Sequence, residues 1–323
     1  MSPRLPVVDL KATTPPPDWG VTVDHDALEA LADRWADEEL PLPCFDYPGI
    51  PAVRDERWWF DYVTVAVSVL ACLWPPEGDE VWHAEIDRQW LDDAPGIFAV
   101  FTRRLGTDGL SLPDLAALSD DDGQRLFGGR GTLQLVPERV DRLRLVAGAL
   151  LDRWDGSAAN LVAAAERHGH RMVELLTTTV PGYLDRARTP VGELRFDKLA
   201  HLAAAIMAAG RGWSDAGFVG FDDFPVYPDY MLPRVFRHVG ALRYAPDLAA
   251  TVDGRRLVAA GSPAEHAIRW ATVHCGAHLA RALTDRGNPV PAPALDYRLW
   301  SEAVLGPDAD RFGQHHRTIT LLY

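Results

Sequence analysis

PERVDRLRLVAGALLDRW, residues Pro137 to Trp154, carries the pattern that decides the fold class, because it reads as one long helix. Ala158 to Thr178 reads as a second helix after a short loop, and Lys198 to Ala209 as another, rich in alanine, the strongest helix former. The helical pattern opens near Leu112: Leu115 to Leu118 precede Ser119, an expected N-cap for Asp120 to Phe127, with Gly128 and Gly129 stopping the turn. Downstream, Val235, Phe236, Val239 and Leu242 share a helical face, and Pro233 fits only near that helix's first turn. Ala264 to Leu283 forms the next helix and Leu295 to Val304 a shorter one. Toward the N-terminus, Asp26 to Glu38 sets Leu28, Leu31, Ala32 and Trp35 at helical spacing, and Pro41 and Pro43 end it. One element stays open: Val63, Val65, Val67 and Val69 alternate like a strand, yet Thr64, Ala66, Ser68 and Leu70 suit a buried helix equally well. The expected fold is mainly α, with few short strands.

The chain has 323 residues, 47% of them hydrophobic, enough to bury a full core as one large domain or two packed lobes. Residues 1–20, with prolines from Pro3 to Pro17 and no basic segment leading into an apolar run, read as an extended arm and not a secretory signal; residues 21–323 form the helical domain. The apolar run Tyr62 to Trp74, closed by Pro75 and Pro76, is well short of the roughly 20 residues a membrane span needs. Cys44, Cys72 and Cys275 form no C-x-x-C pair, which fits reduced thiols and a cytoplasmic setting. A net charge of −14 opposes a sequence-independent grip on nucleic acid, so a small substrate is favoured.

Gly210 to Phe224 is aperiodic and rich in glycine and aspartate, and reads as a surface loop of the kind that carries sites. Beside it lies the most unusual run, Phe221 to Pro233, which mixes carboxylates with aromatics. Breaking an N-glycosidic bond needs a carboxylate to oppose oxocarbenium charge and an aromatic wall to hold the departing base. Asp229, between Tyr227 and Tyr230, offers that combination; the plain alternative is that Asp229 only caps the following helix. In Leu295-Asp296-Tyr297-Arg298-Leu299-Trp300, Asp296 suits the hydrogen-bonding edge of a guanine-like base and Trp300 suits stacking. An N-cap with a core tryptophan is the alternative there. His274 and His278 stand at i, i+4 but without H-E-x-x-H, and His168, His170, His315 and His316 complete no ligand set, so no metal or other cofactor is expected. With no phosphate-binding glycine loop, any phosphate must meet isolated cations such as Lys198, Arg269 or Arg317.

Read in order, these segments resemble the queuosine salvage proteins from about Trp58 to Tyr323. Pro137-Glu138-Arg139, Pro181 to Asp185, and Phe196 to Ala200 look like family segments, the last matching a K-R-A-Q run at Lys198 and Ala200. Pro228 to Arg234 is similar to A-D-Y-R-x-P-Q at Asp229, Tyr230 and Pro233; Glu265, Ile268 and Arg269 fit E-x-E-I-R. Leu295-Asp296-Tyr297 through Trp300 fits L-D-Y-x-L-W, and His316-Arg317-Thr318 with Tyr323 resembles the family's ending. The chain departs elsewhere. Of L-N-F-x-F-W only Trp74 remains, Ser301 stands where the family has a second aspartate, and Ala277 where it has glutamate.

The resemblance implies a helical fold similar to DNA glycosylases and an N-glycoside hydrolase that frees queuine from queuosine 5'-phosphate. It implies Asp229 as the catalytic carboxylate, Asp296 reading the base and Tyr227 touching it. Tyr230, Tyr297, Trp300, Ser301, Lys198, Asp222, Trp74 and Arg269 complete the expected substrate contacts. A glycosidase for a different modified nucleotide, or a base-binding protein without turnover, are the competing readings.

Overall fold

The computed structural model describes residues 5–45, 49–53, 55–105, 111–306 and 309–323. Among them are thirteen α-helices and six strands of three or four residues, so the chain is mainly α. It divides into two compact units: residues 1–43, 185–198 and 220–319 form one, and residues 44–184, 199–219 and 320–323 the other.

The first unit is built around the 23-residue helix Pro263–Asp285. Ser262 caps it by accepting from Glu265 N–H at 3.2 Å, and Pro263 occupies the first turn, where a missing N–H costs nothing. His25–Trp35, Leu232–His238 and Ala292–Val304 pack on it through Leu28, Leu31, Val235, Phe236, Ile268, Ala271, Leu295 and Leu299, all buried. Each of the leucine, isoleucine, valine and phenylalanine side chains among these contributes about 1.5–3 kcal/mol when removed from water. The helix expected to carry Leu242 stops sooner: Gly240 takes φ +83°, and Leu242–Tyr244 turns into a strand antiparallel to Val21–Val23. A hairpin joins Arg186–Thr189 to Gly192–Arg195. The N-terminal segment lies along this unit, with Val8 N–H on Glu193 C=O at 3.0 Å and Trp270 Nε1–H on Thr13 C=O at 2.7 Å.

In the second unit the open element resolves as a helix, Glu56–Val67, capped by Asp55 accepting from Trp58 N–H. Every residue from Trp58 to Val67 is buried, and a helix buried on all sides carries no polar stripe, so its pattern cannot be told from a strand's. Arg139, itself buried, donates to the carbonyls of Gln134, Val69, Ala71 and Cys72. Tyr62 and Tyr183 hydroxyls donate to Phe98 and Thr64 carbonyls. The expected helix Ala158 to Thr178 is two, Ala158–Ala164 and Gly169–Thr179. Glu166 and Arg167 adopt left-handed φ of +54° and +55°, and Arg167 N–H returns to Val162 C=O. Neither residue is a usual helix breaker, and the Arg167 guanidinium bonds both oxygens of Glu56, a contact local sequence cannot reveal.

Candidate active site

The segment Val226–Met231 approaches the Pro263–Asp285 helix closely because of Gly276. A Cβ there would come within 2.5 Å of Val226 Cγ2, so only glycine admits the approach. Asp229, half-buried, bends the chain into the Leu232–His238 helix: its Oδ1 accepts from Met231 N–H at 2.7 Å and Leu232 N–H at 3.1 Å. The helix-start role weighed for Asp229 is therefore present, but it engages one oxygen only; among the described residues Oδ2 makes no hydrogen bond.

Asp296 is not a cap. It lies in the second turn of Ala292–Val304, whose N-cap is Pro291, and it is 8% exposed. Its Oδ1 accepts from Tyr227 N–H at 2.6 Å, which ties the Tyr227–Asp229 segment to the helix carrying Asp296. Burial pushes the Asp296 carboxyl well above the usual carboxylate range; the Asp229 charge adds to this, while the Tyr227 N–H and Lys198 oppose it. The two carboxylates thus share one electrostatic neighbourhood although 67 positions separate them in sequence. Lys198, 5% exposed, opens the Lys198–Ala209 helix.

Tyr227 is 3% exposed and its hydroxyl has no hydrogen-bond partner among the described residues. A buried hydroxyl left unpaired costs about 1–3 kcal/mol, so the group calls for an explanation, of which a bound ligand is one. Burial, with Asp296 second, raises its phenol far above normal. Tyr230 packs its ring 5.0 Å from that of His315, whose imidazole burial pushes down to about 4. Trp300, four residues beyond Asp296, stacks with Tyr297 at 6.1 Å.

The other expected contacts have the following surroundings. Ser301 donates to Arg298 C=O and lines a surface cavity of about 680 Å³ with Arg34, Trp35, His238 and Glu302, a cavity that none of Asp229, Tyr227 and Asp296 lines. Asp222 is exposed and lines a smaller cavity of about 240 Å³ with Lys11 and Arg281. Arg269 donates to Asp185, Glu265 and Pro228 C=O. Trp74 belongs to the other unit, where it is buried and its C=O accepts from Gln134. His274 meets His25, Nε2 to Nε2, at 2.9 Å, and His278 meets Glu29; among the described residues no group of three or more His, Cys, Asp or Glu is arranged to hold a metal. Asp185 and His315 also lie near this site, and neither is among the substrate contacts expected from the sequence.

A family model described as "Queuosine salvage protein" matches residues 54–323. A protein of Sphaerobacter thermophilus named queuosine 5'-phosphate N-glycosylase/hydrolase is 31% identical over 315 residues, covering 94% of this chain and 93% of that one. Proteins of the same name from Dictyostelium discoideum (26% identical; 92% of this chain, 88% of the relative) and Mus musculus (26%; 59% of each) are also similar.

Proposed function

We propose an activity for this chain from one premise: the chain belongs to the queuosine salvage protein family. It is an N-glycoside hydrolase that cleaves queuosine 5'-phosphate, the compound in its relatives' name, and frees the base queuine. The wider substrate class is a nucleoside 5'-monophosphate bearing a purine-like or 7-deazapurine base. Water adds its oxygen to C1′ of the ribose, the C1′–N bond breaks with its electron pair leaving on the base, and the protons of water end on the base and the new hydroxyl.

A 7-deaza base lacks N7 and cannot be expelled by protonation there, so opposing the sugar cation carries more of the barrier. Asp229 does this through its second oxygen, while its first is fixed by two backbone N–H groups. Asp296, which burial favours in its protonated form, offers a donor as well as an acceptor to the base. Tyr227 closes the base site with its unpaired hydroxyl, and Trp300 and Tyr297 add aromatic surface beside it. Lys198 is the cation we assign to the nucleotide's negative charge. Phosphate and base are small, so no nucleic-acid partner is required, and no helix among the described residues is long and apolar enough to cross a membrane. The free thiols fit a cytoplasmic reaction.

The observation that carries this reading is the Tyr227 N–H bond to Asp296, because it joins the two carboxylate-aromatic segments at one place. Ser301, where the family has an aspartate, lines a cavity that none of Asp229, Tyr227 and Asp296 lines. The test is incubation of purified protein with queuosine 5'-phosphate and a panel of nucleoside monophosphates, followed by mass spectrometry for free base. Release of queuine in preference to other bases supports the reading; binding without release leaves a base-binding protein.

A further inference from the structure

Arg269 and Asp185 form an ion pair in which both side chains are almost wholly removed from water, at 2% and 3% exposure. Desolvating two charges costs several kcal/mol each, and an apolar pair of similar volume often serves stability as well. The pair's contacts indicate what it does instead. Arg269 Nη1 donates to Asp185 Oδ1 at 3.1 Å and Nη2 to Oδ2, forming a two-point fork, and the guanidinium lies 4.0 Å above the Phe196 ring. Nη1 also donates to Glu265 Oε1 at 3.4 Å, and Nε–H donates to Pro228 C=O at 3.1 Å. Pro228 directly precedes Asp229.

Asp185 extends the same frame in the other direction. Its N–H donates to Asp197 Oδ1 at 3.0 Å, and its C=O accepts from Phe196 N–H and Asp197 N–H at 3.0 and 3.1 Å. Asp197 directly precedes Lys198. One buried pair therefore fixes the residue before the carboxylate and the residue before the lysine. Asp229 is held on its C-terminal side by its own bonds to Met231 and Leu232; the Arg269 bond secures the N-terminal side.

We infer that Arg269, aligned by Asp185, is a positioning residue for Asp229, setting the carboxylate against the reacting sugar without touching substrate. This rests on the reading of Asp229 as the catalytic carboxylate. The guanidinium is suited to the task because its planar fork addresses a carboxylate and a carbonyl at once; lysine keeps the charge but has no such fork.

The test is Arg269→Lys, assayed with queuosine 5'-phosphate well below the melting temperature of each variant, alone and combined with Asp229→Asn. Misplacing a reacting group by about 1 Å costs about 10²-fold, so kcat is expected to fall roughly 10- to 100-fold with KM changed by less than about threefold. In the Asp229→Asn background the same substitution is expected to remove less than about twofold more, because it acts only through the missing charge. Asp185→Glu, which retains the charge and shifts the fork, should reproduce the pattern if Arg269→Lys melts too low to assay. Near-normal kcat in a folded Arg269→Lys, or full additivity with an impaired Asp229→Asn, overturns the positioning role alone. Undiminished turnover in Asp229→Asn itself overturns the active-site reading and the positioning role with it.

Discussion

Replacing Asp229 with asparagine separates charge from geometry at the centre of the site. The carboxylate's Oδ1 accepts from two N–H groups at the start of the Leu232–His238 helix, and an asparagine carbonyl oxygen placed there accepts both. Asparagine caps helices about as well as aspartate, so the change in stability should stay below about 0.5 kcal/mol, which for a chain of this size is a melting shift of about 2 °C or less. What is lost is the negative charge, which the proposed function sets against the sugar. Removing one preorganised electrostatic contact of this kind costs about 10²- to 10³-fold in rate, or roughly 3–4 kcal/mol of transition-state stabilisation. The loss should appear in kcat with product-base affinity little changed, since the charge opposes the cation formed only in the transition state. Steady-state release of queuine, with a thermal melt on the same sample, reads both quantities. Turnover within a few fold of wild type in a normally melting protein would leave Asp229 as a helix cap and nothing more.

Three further expectations follow from particular contacts. Removal of the unpaired Tyr227 hydroxyl in Tyr227→Phe should leave the free protein as stable or up to about 1 kcal/mol more stable; calorimetry and steady-state kinetics should show a raised KM for queuosine 5'-phosphate, and an unchanged KM would mean the substrate does not use the hydroxyl. Ser301→Asp should not improve turnover, because Ser301 lines a cavity without Asp229, Tyr227 or Asp296; a gain in kcat/KM would return it to the site. In the second unit, burial pushes the Asp61 carboxyl from its ordinary 3.8 up to about 6, against the bonds it accepts from Ala158 N–H and Ser157 Oγ–H. A carboxyl raised in the folded state binds its proton more tightly there, so stability is highest below about pH 4 for this group and falls as pH rises through about 6. The shift of roughly two units corresponds to on the order of 3 kcal/mol. Asp61→Asn should flatten that part of the stability profile in denaturant titrations from pH 4 to 8, and an unchanged slope would contradict the assignment.

The helices were legible because most of them expose one face and bury another. Ser119, read as a cap, accepts from Asp122 N–H, and Lys198–Ala209 has the bounds its alanine content suggested. Where burial is complete, as from Trp58 to Val67, periodicity vanishes and sequence cannot choose between helix and strand. The Ala84–Ile86 and Gln89–Leu91 hairpin turns through Asp87 and Arg88 at positive φ, without the glycine or asparagine that usually marks such a turn. In the site, the two carboxylates stood out by their aromatic neighbours, but the bond joining their segments uses the backbone of Tyr227, which no side-chain pattern encodes. Arg269 read as a cation for phosphate because its partner Asp185 is 84 positions away. Helix geometry held one usable signal. At about 100° per residue, Trp300 falls near the Asp296 face of its helix and Ser301 about 140° from it.

The most direct test of N-glycoside hydrolysis by this chain is single-turnover reaction of the wild-type protein with queuosine 5'-phosphate in ¹⁸O-labelled water, read by mass spectrometry of both products. Hydrolysis at C1′ predicts free, unlabelled queuine and a ribose 5-phosphate carrying one ¹⁸O, with both lost together in Asp229→Asn. Intact nucleotide recovered after prolonged incubation with folded protein, or label appearing in the phosphate instead of at C1′, would contradict the account.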